Sequence, residues 1–287
     1  MLVPHFPKRI EIEPTSACNL KCTYCPRHFV KGLNHFMDIA MFKRIIKEIE
    51  SFPETVIVLH RRGESLLHPK FSEMLYLIKG KFHEIQLASN ATLLDSKLSQ
   101  ALIESVTFIS FSIDSPNAYE KTRIPANYNK VESNIHTFIE MNKIKGSPVK
   151  TQVSMVKTKN TLDSDIILFE KKWAGKIDRI RIYEAHSENG KFGSLKMKRK
   201  KRKPCVMPFY ELVILCDGSI ARCNHDWNSK PIGFVSNGIQ QIWQSSFFQD
   251  LRKQHETLMI TDSVCASCDS WYPEEGNQCT GKVIEND

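Results

Sequence analysis

Arg9-Ile10-Glu11-Ile12-Glu13-Pro14-Thr15-Ser16-Ala17-Cys18-Asn19-Leu20-Lys21-Cys22-Thr23-Tyr24-Cys25 is the stretch on which the reading of the fold turns. Residues 9–13 form a short β-branched run of the kind that makes a strand, and the loop after it carries three cysteines spaced C-x-x-x-C-x-x-C. Five further strand candidates follow at 55–60, 84–88, 107–113, 150–156 and 177–183, and amphipathic segments at helical spacing lie between them. In the first of these, Ile39, Phe42, Ile45, Ile46 and Ile49 recur every three or four residues and leave Lys43, Lys47 and Glu48 for solvent. Further helices are expected at 71–79, 95–104, 131–145 and 162–173, three of them closed by Gly80, Gly146 and Gly175. Six β-α repeats are too few for a complete eightfold barrel but enough for an open one, so an α/β fold with a partial (β/α)6 barrel is expected. Ligand sites of such folds collect at the C-terminal edge of the strands, which is where the first cysteine group falls.

The chain has 287 residues, 41% of them hydrophobic and 25% charged, values ordinary for a soluble protein. No apolar run approaches the roughly 18 residues needed to cross a bilayer. Residues 1–5 lack a secretory signal, so the expected compartment is the cytoplasm, with no membrane association. Nine cysteines cannot all pair as disulfides, and clustered cysteines in a reducing compartment read as metal ligands. Three form the first group and six lie between Cys205 and Cys279, with a cysteine-free middle. The formal charge of +8 is partly local: Lys196-Met197-Lys198-Arg199-Lys200-Lys201-Arg202-Lys203 is either a solvated linker or a docking strip for an anionic substrate or partner.

After residue 183 the pattern changes. The expected organisation is a barrel at 1–185, a basic linker at 186–204 and a small α+β unit at 205–287. In that unit Asp217-Gly218 sits between two apolar runs, 212–216 and 219–223, as the turn of a β-hairpin, and 239–255 reads as one helix. Cys205, Cys223, Cys265 and Cys268 supply four thiolates there, a set that completes either a four-iron cluster or a zinc site. Cys18, Cys22 and Cys25 supply only three, which leaves one iron of a four-iron cluster open.

The segment from Ile12 to Pro26, with Tyr24 before the third cysteine, resembles the signature loop of the radical SAM superfamily. The resemblance implies a [4Fe-4S] cluster on Cys18, Cys22 and Cys25 whose open iron binds S-adenosylmethionine, an electron donor of flavodoxin or ferredoxin type, and a 5′-deoxyadenosyl radical that removes hydrogen from a second substrate. It also implies cofactor contacts at Tyr24, Gly63 and Glu64, at Asn90 in a segment with Ala91 where glycine is usual, at Ser112, Asp114 and Arg123, and at Gln152, with Ser154 a weaker candidate.

The segment from Cys205 onward is similar to the SPASM/twitch extensions of that superfamily, through C-x(12)-G-x(4)-C and the closing C-x-x-C. Full SPASM domains continue with more cysteines; this chain runs on to a single Cys279, which implies one auxiliary [4Fe-4S] cluster on Cys205, Cys223, Cys265 and Cys268, as in aminocyclitol dehydrogenases. Cys216 and Cys279 remain, the former a small core residue or a thiol that donates hydrogen to a substrate radical, the latter spare, an extra ligand or such a donor. Glu13, His60, Arg62, Glu184 and His186 are base candidates at strand ends, and no general base is assigned.

The expected activity is therefore that of an oxidoreductase or epimerase acting on a small polar, carbohydrate- or aminocyclitol-like substrate. A peptide-modifying enzyme is the runner-up; the basic run could hold an acidic leader, but the chain begins almost at strand one. The alternative from another class, a zinc protein that binds nucleic acid through its basic run, finds no aromatics between residues 196 and 203 and is disfavoured.

Overall fold

The computed structural model describes residues 2–185, 202–228, 230–268 and 281–285. Cys279, His186 and the basic residues 196–201 lie outside them. Six parallel strands form where the β-branched runs stand: β1 Arg9–Ile12, β2 Val56–Val58, β3 Ile85–Ser89, β4 Phe108–Ser112, β5 Lys150–Lys157 and β6 Arg179–Glu184. Each pairs in parallel with the next. Helices α1 Ile39–Ile49, α2 Phe71–Ile78, α3 Ser96–Ile103, α4 Tyr128–Ile144 and α5 Asp163–Trp173 connect them. Asp38 starts α1 by accepting from the amides of Ala40 and Met41, 2.8 and 3.1 Å away.

Parallel sheets are normally apolar on both faces. Here one face is apolar: Ile10, Ile12, Ile57, Leu59, Leu87, Phe111, Val153 and Ile182 are buried with Phe42, Ile46, Phe71, Phe138 and Trp173 of the helices in one core. The other face carries Arg9, Glu11, Gln86, Ser110, Gln152, Ser154, Arg179 and Arg181. Most of these are buried as well, as the inward face of a curled sheet requires.

The C-terminal hairpin extends the same sheet. Its first strand, β7 Glu211–Ile214, lies parallel to β1, and β8 Ile220–Ala221 runs antiparallel outside it. At the opposite edge β9 Gly281–Glu285 pairs antiparallel with β6. The strand order is therefore β8-β7-β1-β2-β3-β4-β5-β6-β9. The hairpin is joined to the barrel because Leu212 and Ile214 continue its apolar face while Glu211 meets Arg9 at 2.9 Å on the polar one.

The helix expected over 239–255 is two helices, Ile239–Trp243 and α6 Ser246–Thr257. Arg252 accounts for the break. Its guanidinium donates to the Trp243 and Pro208 carbonyls, each at 2.8 Å, and lies 4.2 Å from the Trp243 ring, so the carbonyl freed at the end of the first helix finds its partner on the second.

Candidate active site

The cysteine loop leaves β1 at the C-terminal strand edge and is held from three sides. Lys21–Cys22 pairs antiparallel with Arg123–Ile124, and Thr23 N donates to Thr122 O at 2.8 Å. Ser16 N donates to His35 O at 2.9 Å. From below, the loop after β2 approaches so closely that a Cβ on Gly63 would stand 2.2 Å from the Thr15 carbonyl oxygen and 2.4 Å from that of Ala17. Only glycine fits there.

Glu64 continues this contact. Its amide donates to Ala17 O at 2.7 Å, and its carboxylate, 3% exposed, accepts from Ser89 Oγ at 2.8 Å and from Asn90 N at 2.7 Å. Burial pushes its pKa up. The side chain is thus turned inward as a brace between the cysteine loop and the end of β3. Asn90 reaches the same loop from β3, donating to Asn19 Oδ1 at 2.9 Å, and Asn19 in turn donates to Thr92 Oγ1 at 2.7 Å. Ala91 holds φ +56°, which explains the glycine usual at this position.

Asp114, just past β4, collects five donors: Tyr24 Oη at 3.0 Å, Thr122 Oγ1 at 2.8 Å, Arg123 Nε and Nη2 at 2.9 and 3.1 Å, and Val156 N at 3.2 Å. Burial opposes the charge on Arg123, but Asp114, Tyr24 and Cys22 outweigh it and hold the guanidinium well above its usual pKa. Ser112 is half-buried at the end of β4. Gln152 is not brought to the cysteine loop. It is the third residue of β5, far from that strand's C-terminal end, where it donates to Ser110 Oγ and accepts from Arg179 Nε, both at 2.6 Å.

The polar sheet face joins the two cysteine groups. Arg62 grips Glu13 through Nε and Nη2, both at 2.8 Å, which keeps that carboxyl ionised although burial alone would raise its pKa. Next to it, Arg61 Nε lies 3.3 Å from Glu11 Oε1, and its other nitrogens donate to the carbonyls of Asn224 and, at 2.9 Å, of Asp226. Burial pushes Glu11 up to about 8 against the pull of Arg61. His60 accepts from Ala88 N at 3.0 Å, and burial with Arg9 and Arg61 nearby drops its pKa to about 3, so it serves as a neutral acceptor. Cys216 is 3% exposed within the main core, its amide donating to Glu13 at 3.2 Å.

The second group lines a small cavity whose walls include Cys205, Cys223, Cys265, Cys268, Arg202, Arg222 and His255. Two buried N–H groups on its walls, Arg202 Nε and His255 Nε2, have no hydrogen-bond partner among the described residues. Burial, then Asp226 and the other three thiols, raises the Cys223 pKa well above the usual value. In the first group burial does the same, taking Cys22 to about 11. Sulfurs so placed repel one another as thiolates and are bound as such only around a cationic centre, which is what an iron-sulfur cluster supplies. The orphaned donors complete the fit, since the cationic core together with its four thiolates is anionic overall and accepts hydrogen bonds at its sulfurs.

Of the residues the sequence pattern points to, Gly63, Glu64, Asn90, Asp114 and Arg123 surround the first cysteine loop in the structure, and Gln152 does not. Sequence reasoning did not single out Asn19, Thr122, Arg202 or His255, for which no local pattern exists. Arg61, which no motif marks, is the side chain that bridges to the second cysteine group.

The radical SAM superfamily profile matches residues 12–166, and that of SPASM, an iron-sulfur cluster-binding domain, matches residues 205–269. A tungsten-containing aldehyde ferredoxin oxidoreductase cofactor-modifying protein from Pyrococcus furiosus is 32% identical over 109 residues, 37% of this chain and 31% of that protein. The GTP 3′,8-cyclase of Chlorobaculum tepidum is 26% identical over 117 residues, 40% of this chain and 35% of that protein. Either match thus spans about a third of the relative's length. In fold, Streptococcus suis SuiB bound to precursor peptide SuiA superposes with a TM-score of 0.73 at 13% identity, over 98% of this chain and 76% of that one. BtrN in complex with AdoMet and 2-DOIA superposes at 0.61 and 18% identity, over 95% of this chain and 98% of that one. More than half of the chain matches the superfamily profile, on a partial barrel with a cluster-binding segment behind it, and the protein is a member of the radical SAM superfamily, enzymes that work with [4Fe-4S] clusters and S-adenosylmethionine.

Proposed function

We propose that Cys18, Cys22 and Cys25 hold the catalytic [4Fe-4S] cluster, that Cys205, Cys223, Cys265 and Cys268 hold one auxiliary [4Fe-4S] cluster, and that the substrate is a small polar, carbohydrate- or aminocyclitol-like molecule that is dehydrogenated or epimerised. The polar inner face of the sheet carries this reading. Arg9, Glu11, Glu13, Arg61, Arg62 and Gln152 make an interior suited to hydroxyl and amino groups and poorly suited to an apolar ligand. When bound, the first cluster and S-adenosylmethionine supply a 5′-deoxyadenosyl radical, with the electron coming from a flavodoxin- or ferredoxin-type donor.

The chain's own residues hold that chemistry in place. Gly63 and Glu64 seat the cysteine loop from below, Asn90 and Asn19 tie it to β3, and Asp114 with Arg123 and Tyr24 clamps its far side. Ser112 offers a hydroxyl at the same edge. The burial of Cys216 in the apolar core supports packing as its role rather than hydrogen donation.

Anaerobic reconstitution is expected to give about eight irons per chain and reductant-dependent 5′-deoxyadenosine from S-adenosylmethionine. Cys22→Ala is expected to abolish that release and to leave about four irons. Deuterium from labelled polar metabolites is expected in the 5′-deoxyadenosine. Zinc without iron would sink the enzyme reading, and label arriving from a peptide instead of a metabolite would overturn the substrate class.

A further inference from the structure

Helix α6 presents Phe248, Leu251, Arg252 and His255 on one buried face, and the last of these reaches the cavity of the second cysteine group. The His255 ring is 1% exposed. Cys205 N donates to its Nδ1 over 3.3 Å. A ring nitrogen that accepts from an amide presents its lone pair there, so the proton of the neutral imidazole is on Nε2. That Nε2–H has no partner among the described residues, although buried donors are nearly always paired. The four thiols of Cys205, Cys223, Cys265 and Cys268 share the cavity with it.

We infer that His255 is a positioning residue for the auxiliary cluster, with Nε2–H donating a hydrogen bond to one of the cluster's sulfurs and thereby raising its reduction potential. The inference rests on the ligand assignment proposed above. Direct ligation of a metal by Nε2 would require the opposite tautomer, with the proton on Nδ1, and the Cys205 amide already points at that nitrogen. A donor aimed at a cluster sulfur favours the more negative, reduced state, so the potential rises with it and falls without it. Backbone and ring are tied together here: the amide that fixes the tautomer belongs to a ligand residue, so cluster and histidine are positioned as one unit.

The test uses the reconstituted protein in the Cys22→Ala background, where the auxiliary cluster is the remaining paramagnetic centre. In a titration followed by electron paramagnetic resonance, His255→Phe is expected to lower the midpoint potential, because it keeps a ring of similar size and removes the N–H. His255→Gln, which retains an N–H, is expected to restore much of the shift. A His255→Phe protein with full iron and unchanged potential overturns the inference. Should that variant load poorly, ¹⁵N-histidine labelling of the His225→Asn protein decides, since His225 is the other histidine lining the cavity. A weak nitrogen coupling to the reduced cluster is expected. No coupling, or one strong enough for an iron–nitrogen bond, overturns the inference. An auxiliary iron content near zero in the Cys22→Ala protein itself overturns the ligand assignment, and this inference with it.

Discussion

Gly63→Ala is expected to empty the first cluster site and to abolish release of 5′-deoxyadenosine while the auxiliary cluster still loads. The atoms the new Cβ would meet, Thr15 O at 2.2 Å and Ala17 O at 2.4 Å, are both backbone, so no rotamer change relieves the clash. Either the loop after β2 or the cysteine loop has to move, and the Glu64 N to Ala17 O bond of 2.7 Å breaks in both cases. Overpacking of this kind costs about 1–3 kcal/mol in stability, which a folded protein survives. Function is less tolerant, since misplacement by ~1 Å is enough to cost about a hundredfold in rate. Iron analysis should fall from about eight to about four per chain with the far-ultraviolet circular dichroism unchanged. A Gly63→Ala protein with full iron and full activity would show that the close approach does not position the loop.

Asp114→Asn is expected to be the most destabilising single-atom change in the site. Asparagine keeps the shape but turns one acceptor oxygen into a donor among five donors, and it withdraws the counter-charge from a guanidinium that is 5% exposed. Leaving a buried charge without its partner costs about 3–5 kcal/mol, and a loss of that size lowers Tm by roughly 10 °C in a chain of this length. The damage reaches the cluster loop directly, because Arg123 is also the backbone partner of Cys22. Replacing both members, Asp114→Asn with Arg123→Met, is expected to cost less than the two single changes added together. Additive losses in that cycle would mean the pair is not coupled.

The six barrel strands were legible because each is a local β-branched run with a helix pattern after it, and the helices because their apolar stripes and glycine stops are local as well. The partnership of residues 211–214 with β1 was not, since strand pairing across some 200 residues leaves no local mark; it shows in the folded chain, where Arg9 to Ile12 pair with Glu211 to Ile214. The break at residue 244 was hidden for a similar reason: the group that caps the first helix, Arg252, lies on the next one. Among site residues the two cysteine groups were legible from spacing. The inward turn of Glu64 and the low position of Gln152 were not, because the family's motif gives a residue's place in the chain and says nothing of which neighbours its side chain finds. His255 carries no motif at all.

The place of β7 beside β1 also orders events in time. The strand that covers the outer edge of β1 leaves the ribosome 202 residues after it, as the Arg9–Glu211 separation records. At common synthesis rates that interval is roughly 10–40 s. For that long the nascent sheet has an open edge of unpaired backbone groups and a buried-to-be arginine without its carboxylate, both features that invite association with other chains. Contacts of such high sequence separation also make folding slow. The barrel sheet is therefore completed by the segment that carries the second cysteine group, so folding of the barrel waits for synthesis of that segment.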